Sequence, residues 1–226
     1  MHNEEAGVSR CAETVMGILP KLKVPASLIV VDDGSTDSTP KILAQLKTKW
    51  PNKLLIVTHE VNQGYGAGLA TGVKKADEAS FSHTVFMDSD LTNNPKDLVK
   101  FVTKMDYDLV KASRYITGGR VKGVPWKRRV FSQTGNLLSR ICFRMGIHDY
   151  TNGFRMVRTK MLSGYTYREK GFAIILEEMY YLKKKRAHCA EIPVRLTSRT
   201  KTASHFRYTP AQIWAYLRYA LLALAA

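Results

Sequence analysis

The sequence predicts an α/β fold, Rossmann-like, with a mostly parallel sheet flanked by helices. Two observations carry that reading. Short apolar runs alternate with helix-patterned stretches through the first half of the chain, which is the pattern of parallel strands joined by crossover helices. Two of those runs also end in paired acidic residues, at the strand ends where open α/β sheets bind ligands.

The predicted strands are Ser27–Val31 (SLIVV), Leu54–Thr58 (LLIVT), Thr84–Met87 (TVFM) and Asp108–Lys111. Helices are expected at about Glu5–Leu22, Thr39–Lys49, Gly66–Ala79 and Pro95–Lys104. Ser38-Thr39-Pro40 and Asn94-Pro95 each offer a capping side chain followed by a first-turn proline. After Lys111 the pattern changes to a basic, glycine-containing loop over Ser113–Arg129. A helix at about Arg129–Met145, a turn at Asp149–Gly153, a helix near Ile174–Lys185 and a strand at Ala190–Leu196 follow. A second basic loop, Thr197–Arg207, precedes an apolar terminal helix from Pro210. An open sheet of this kind normally starts with a strand, yet the helical pattern here starts almost at Met1. The reading therefore expects a missing first strand, or another segment in its place.

No repeat or linker divides the chain, so residues 1–207 are read as one domain and 208–226 as an appended helix, interfacial or the stump of a membrane segment. No stretch of the 226 residues reaches the roughly 18 unbroken apolar positions of a spanning helix. Met1–Glu5 is polar and no apolar core of a signal peptide follows it, so translocation is not expected. Cys11, Cys142 and Cys189 are odd in number and far apart, which suggests buried thiols in a reducing compartment rather than a disulfide framework. The balance of 35 Lys and Arg against 19 Asp and Glu gives a net charge of +16, which points to a phosphate-bearing partner or a membrane surface.

Asp88-Ser89-Asp90 directly follows an apolar run, and two carboxylates at a strand end suit Mg²⁺ or Mn²⁺ bridging to substrate phosphates. Asp32-Asp33 ends the strand SLIVV and leads into Gly34-Ser35-Thr36-Asp37-Ser38. Its carboxylates could accept hydrogen bonds from a base or ribose, or serve a capped turn. The glycines of Asn62-Gln63-Gly64-Tyr65-Gly66-Ala67-Gly68 permit close backbone approach, but Gly66-x-Gly68-x-x-x-Gly72 misses the dinucleotide spacing and no P-loop lysine occurs. Dehydrogenase and ATPase readings fall. Lys111, Arg114, Arg120, Lys122, Lys127, Arg128 and Arg129 make a basic stretch broken by glycines, Pro125 and Trp126, with guanidinium forks suited to phosphate. Arg199 and Lys201 form a second cluster. A nucleic-acid-binding module would explain the charge, but no recognition motif supports one, and acidic clusters on one sheet edge would repel a polyanion.

With these motifs in order, the sequence resembles the family 2 glycosyltransferases of GT-A fold, and within them the dolichol-phosphate mannose synthase and polyprenyl-phosphate glycosyltransferase group. The resemblance runs from His2 to about His205. His2-Asn3-Glu4-Glu5 is similar to the end of the family's Pro-x-Tyr-Asn-Glu-Glu motif, and Val31–Asp37, Asn62–Gly68 and Asp88-Ser89-Asp90 follow. The subgroup is marked by Ser113-Arg114-Tyr115 with Gly118-Gly119, by Trp126–Arg129 with Ser132 and Asn136, and by Asp149-x-Thr151-x-Gly153-Phe154-Arg155.

The resemblance implies a donor nucleotide held by Asn3, Glu4, Asp32, Asp33, Gly64, Asp88 and Ser89, and a metal ion on Asp88 and Asp90. It implies that Arg114 faces the donor diphosphate and sugar, and that Arg128, Ser132 and Arg199 bind the acceptor phosphate, with Asp90, Arg114, Arg128 and Arg199 as the catalytic set. The partners implied are a nucleotide sugar, dolichyl or polyprenyl phosphate, a membrane surface at its cytoplasmic face and small membrane-protein subunits, without nucleic acid. GDP-mannose is the favoured donor. UDP-glucose, or a saccharide hydroxyl as acceptor, are the alternatives. Three departures stand out: the family's Phe-Gln-x-Glu reads Ile174-Ile175-Leu176-Glu177, its Arg-x-x-Gly-x-Ser-Lys reads Arg199-Thr200-Lys201-Thr202-Ala203-Ser204-His205 without the glycine and final lysine, and Thr92 stands where a glutamine often follows the acidic pair. Glu177 is left as either a structural residue or a contact to a sugar hydroxyl.

Overall fold

In the computed structural model, residues 1–196 and 209–226 are described, the side chains of Lys127 and Arg128 excepted. The chain opens with α1 (Val8–Met16), whose buried positions Val8, Cys11, Ala12, Val15 and Met16 follow helical spacing. The expected helix to Leu22 stops at Gly17, and Leu19–Leu22 forms a separate 3₁₀ turn. Pro20 is the cause, because its ring clashes with the carbonyl four residues back and offers no N–H.

Then come β1 (Leu28–Asp32), α2 (Thr39–Lys49), β2 (Leu54–Thr58), α3 (Tyr65–Glu78), β3 (His83–Phe86) and α4 (Leu98–Val102). The start of α2 is capped through Asp37, whose Oδ1 accepts from Thr39 N at 2.9 Å, rather than through Ser38. Asn94 caps as expected, accepting from Lys96 N at 3.0 Å, but the turn it starts is 3₁₀ over Pro95–Asp97. The second half holds β4 (Leu109–Ser113), β5 (Arg120–Val121), α5 (Trp126–Phe143), β6 (Arg155–Arg158), α6 (Thr159–Leu162), α7 (Ile174–Lys184), β7 (Cys189–Pro193), β8 (Arg195–Leu196) and α8 (Pro210–Ala225). Helix α5 starts at Trp126, so Lys127-Arg128-Arg129 belongs to a first helical turn rather than to a loop.

Three of the strand pairings among the described residues are parallel, as expected, and two are antiparallel. β1 and β2 pair in parallel, and β4 pairs in parallel with β7. Between β3 and β4 lies β6, antiparallel to both, with Val157 opposite Thr84 and Met156 opposite Val110. The described strands thus form three separate pieces, β1-β2, β3-β6-β4-β7 and the short parallel pair β5-β8, and among the described residues no strand lies between β1 and β3. A continuous cavity of about 1040 Å³ begins there, walled by Leu28–Val31 and Ser82–Met87.

Helices cover both faces of the larger piece. One core packs Phe143, Tyr150, Leu176, Met179 and Leu182 with Tyr219, Ala220 and Ala223 of α8. The other packs Val15, Leu22, Leu98 and Phe101 against Val110, Phe154 and Ile192. Helix α8 is therefore seated on the domain, and Lys183 of α7 also donates to the Ala223 carbonyl.

Candidate active site

The cavity extends to the carboxyl ends of β1 and β3, where Glu4, Asp33, Gly64, Asp88, Ser89, Asp90 and Arg114 all line it. The two acidic strand ends therefore face one space, as strand register predicts for an open α/β sheet.

At the first strand end the two aspartates divide their roles. Asp33 Oδ1 accepts from His59 Nδ1 at 2.7 Å and Gln63 N at 2.9 Å, and its Oδ2 accepts from Gly64 N at 2.8 Å. Burial alone would raise its pKa, but these donors hold the carboxyl below the usual range. Asp33 therefore fastens the 62–64 loop to β1, which spends its lone pairs within the protein. Asp32 is fully buried; its Oδ1 accepts from Ser35 N at 3.2 Å, while its Oδ2 has no partner among the described residues. The glycines of the loop also serve an internal purpose. Gly64 adopts φ +94, and a Cβ on Gly66 would sit 2.1 Å from the Glu169 carbonyl oxygen. The close approach is to the chain's own 169–170 segment, where Gly66 N donates to Lys170 O at 2.9 Å.

At the second strand end, Asp90 Oδ1 accepts from the backbone N (2.9 Å) and the hydroxyl (2.7 Å) of Thr92. Thr92 thus orients the carboxylate. Asp88 lies 3.5 Å from the Tyr65 hydroxyl, and the 149–153 turn presses against it, since a Cβ on Gly153 would sit 3.6 Å from Asp88 Oδ2. Among the described residues no cluster of three or more His, Cys, Asp or Glu forms. A pair of hard oxygen donors opening on a cavity fits Mg²⁺ or Mn²⁺ completed by phosphate and water, and does not fit a closed structural zinc site.

Arg114 reaches the cavity from β4 on a rigid mount. Its Nε donates to Asp149 Oδ2 at 2.7 Å, its Nη2 to Asp149 Oδ1 at 2.8 Å and to Thr151 Oγ1 at 3.0 Å. Asp149 is completely buried; desolvation pushes its pKa up, but the Arg114 and Lys111 charges bring it below the ordinary value. Asn136 of α5 ties the same turn down by accepting from Tyr150 N at 2.7 Å. Ser132, one turn earlier, accepts from the Tyr115 hydroxyl at 2.9 Å.

A model of the family described as glycosyl transferase family 2 matches residues 1–166. The chain belongs to glycosyltransferase family 2. It is 30% identical over 177 residues to the polyprenol monophosphomannose synthase of Mycolicibacterium smegmatis (strain ATCC 700084 / mc(2)155), covering 76% of this chain and 67% of that protein. It is also 30% identical over 196 residues to the dolichol-phosphate mannosyltransferase of Pyrococcus furiosus (strain ATCC 43587 / DSM 3638 / JCM 8422 / Vc1), covering 85% of this chain and 53% of that one. The chain thus spans about two thirds of the first relative and about half of the second. Among solved structures it resembles glucosyl-3-phosphoglycerate synthase of Mycobacterium tuberculosis bound to phosphoglyceric acid. That match has a TM-score of 0.64 at 18% identity and covers 100% of this chain and 76% of that one. The same enzyme with Mn²⁺, UDP-glucose and phosphoglyceric acid matches at TM-score 0.63 and 20% identity, covering 99% and 75%. At these identities the likeness establishes the GT-A fold.

Within this family 2 domain the structure gathers most of the predicted donor-side residues. The Asn3 side chain accepts from Thr36 N at 2.9 Å and so organises the 35–38 turn. Glu4 remains on the cavity wall while its N donates to Thr39 Oγ1 at 2.9 Å. Glu177, 1% exposed, accepts from the Tyr165 hydroxyl and from the N–H groups of Arg168 and Glu169. It is a structural anchor for the 165–170 segment. From that segment Glu169 pairs with Arg218 of α8 at 2.6 Å, while nearby Phe172 packs on the Tyr65 ring at 5.0 Å. The Arg128 side chain and Arg199 lie outside the described residues.

Lys111 corrects the reading of the basic loop, since it is fully buried and belongs to no phosphate-binding surface. Its Nζ donates to the carbonyls of Asn152 (2.5 Å) and Tyr150 (3.4 Å), holding the turn that carries Asp149. Desolvation by burial, with Arg155 beside it, lowers its pKa to about 7. The unfolded chain, with an ordinary lysine near 10.4, then binds more protons than the fold between about pH 7 and pH 10. Wild-type protein is accordingly expected to gain stability relative to Lys111→Met over that interval, by up to roughly 1.4 kcal/mol per pH unit. Denaturant midpoints measured at pH 7, 8.5 and 10 check this, and a pH-independent difference would refute it.

Proposed function

We propose that the chain transfers a hexose, mannose from GDP-mannose in the favoured case, to dolichyl or polyprenyl phosphate with inversion at the anomeric carbon. The observation that carries this is the convergence of Asp88, Asp90, Asp33 at the other acidic strand end and the Asp149-mounted Arg114 on one cavity. The names of the two relatives supply the acceptor class.

Asp88 and Asp90 would hold Mg²⁺ or Mn²⁺, which when bound supplies Lewis-acid neutralisation of the leaving diphosphate. The wall at Glu4, Gly64 and Ser89 is the nucleotide side; Asp32, 0% exposed, lies off that wall. Arg114 presents positive charge toward the diphosphate and sugar. A lipid monophosphate, with a second pKa of about 6, is anionic near neutral pH and is its own nucleophile. Its oxygen bonds to the anomeric carbon as the bond to the diphosphate oxygen breaks, so a strong general base is not needed and positioning supplies most of the catalysis. Arg128, Ser132 and Arg199 are assigned to that positioning.

Membrane association is supported by the apolar surfaces of two helices that pack on each other. Helix α5 exposes Trp126 (70%), Leu137 (57%) and Ile141 (55%), and α8 exposes Trp214 (64%) and Leu221 (60%). Basic residues beside them, Lys122 and Arg129 among them, would meet an anionic cytoplasmic leaflet. Among the described residues no helix is long and apolar enough to cross a membrane.

Incubation of the protein with Mn²⁺, polyprenyl phosphate and a panel of labelled nucleotide sugars tests the reading. Transfer from GDP-mannose supports it, transfer from UDP-glucose alone replaces the donor, and transfer only to free saccharides overturns it. Arg128→Ala and Arg199→Ala are each expected to raise KM for the lipid phosphate by about 10-fold or more, as loss of a charged hydrogen bond implies. Nucleotide-sugar affinity, measured calorimetrically, should stay unchanged; normal lipid kinetics in either variant would remove that arginine from the site.

A further inference from the structure

We propose that the outer face of the β5-β8 pair is a phosphodiester site, in which the guanidinium groups of Arg120 and Arg195 together hold the headgroup of one anionic phospholipid. This rests on the membrane contact proposed above and names the point at which a lipid is gripped.

The net charge of the chain is concentrated in the two stretches that supply this pair. Residues 109–148 and 192–226 contain fourteen of the 35 Lys and Arg and none of the 19 Asp and Glu, which leaves the rest of the chain nearly neutral, with 21 basic against 19 acidic residues. β5 belongs to the first stretch and β8 to the second, so the segments that flank them bring no carboxylate. Arg120 and Arg195 are direct partners in the parallel register. Their side chains therefore leave the same face of the pair, and both residues are exposed. Like charges opposed in this way repel. Lys122, two residues further along β5, shares that face. Among the described residues none of the three has a side-chain hydrogen bond or ion pair.

The backbone holds the two arginines together against that repulsion. Arg120 N donates to Val194 O and Lys122 N to Leu196 O, both at 3.0 Å. A Cβ on Gly119 would sit 2.7 Å from the Ser113 carbonyl oxygen, and Gly118 adopts φ +88 against Pro193, so the glycine pair is what lets β5 turn back beside β8. Alternation along the strands sends Val121 and Leu196 the other way. Leu196 lines the cavity, whereas Arg120 and Arg195 do not, which separates them from the wall that carries Asp88, Asp90 and Arg114. Two planar forks one strand spacing apart, with an ammonium beside them, suit the oxygens of a single phosphate. The source of that phosphate follows from the neighbouring surface. Trp126, 70% exposed, lies four residues past Lys122 and opens α5, which also exposes Val130 and Leu137. An indole ring beside a phosphate site is the arrangement of a bilayer interface, where the ring lies at headgroup level. A soluble phosphate ester would have nothing to set against that apolar surface.

The test measures binding of the full chain to vesicles of phosphatidylcholine, with and without phosphatidylglycerol and free of polyprenyl phosphate. Arg120→Gln with Arg195→Gln is expected to weaken association with the anionic vesicles about 30-fold. Arg120→Lys with Arg195→Lys keeps the charge but loses the forks, and should still lose affinity several-fold; wild-type affinity in that variant overturns the site in favour of diffuse attraction. Lys41→Gln with Lys74→Gln removes the same charge from exposed positions on α2 and α3, and a loss equal to that of the arginine variant overturns it too. Glycerol phosphate is then compared with chloride at equal ionic strength. Release of the wild type by the ester alone assigns the site to a soluble phosphate and overturns the headgroup assignment. Wild-type protein that binds neither kind of vesicle would remove the membrane contact itself, whereas anionic vesicles bound equally well by the Gln variant would remove only this site.

Discussion

Asp88→Asn is expected to lower hexose transfer by about 10³-fold while leaving the protein folded, a loss of the size seen when one preorganised electrostatic group is removed from a polar site. The substitution keeps the side chain's shape beside Tyr65 and Gly153 and removes only the charge. The site would then offer one carboxylate, Asp90, to the divalent cation it is proposed to hold. Initial rates at saturating donor and acceptor, with Mn²⁺ varied, measure the effect, and an unshifted thermal midpoint establishes that the fold is intact. Activity within 10-fold of wild type at ordinary Mn²⁺ would exclude Asp88 as a metal ligand. The contrast with Asp33→Asn is informative, because Asp33 is committed to His59, Gln63 and Gly64, and its loss should appear first as a destabilised 62–64 loop.

The largest effect on stability is expected at Arg155. Its Nε and Nη2 donate to Glu178 at 2.5 and 2.7 Å, both side chains are 0% exposed, and the Tyr167 hydroxyl completes the Glu178 carboxylate. Arg155→Met leaves Glu178 buried without its cation, which costs about 3–5 kcal/mol, or roughly 6–20 °C in midpoint for a chain of this size. Replacing both residues, Arg155→Met with Glu178→Leu, should recover much of that loss, because the pair's desolvation is then never incurred. A single-variant cost below about 1 kcal/mol in denaturant titrations would contradict the burial described here.

Strands β1, β2 and β3 were legible because each is a short, mostly apolar run rich in β-branched or aromatic residues. β6 was not, since its residues read Arg-Met-Val-Arg. The arginine that disguises the strand is neutralised by Glu178 on α7, 23 residues further along the chain, and no local pattern announces such a pair. The same limit applied to Lys111, which sits among basic residues in sequence but points into the core. At the site, the acidic strand ends were visible by position alone. The division of labour between Asp32 and Asp33 was not, because it depends on which carboxylate meets the returning 62–64 loop. The glycines of that loop signalled a close approach correctly, but only the fold reveals that the approaching group is the Glu169 carbonyl.

Arg218 on α8 grips Glu169, the neighbouring Lys170 carbonyl receives the Gly66 N–H, and Phe172 lies on Tyr65, whose hydroxyl reaches toward Asp88. The surface helix and the acidic edge are therefore successive stations of one packed path. Free energy is a state function, so to the extent that anchoring α8 stabilises this arrangement and improves donor affinity, a bound donor must strengthen the anchoring of α8 by the same factor. On the membrane contact proposed above, an enzyme wired in this way would hold its surface most tightly while loaded and let go after turnover, so that residence time at the interface would report catalytic state.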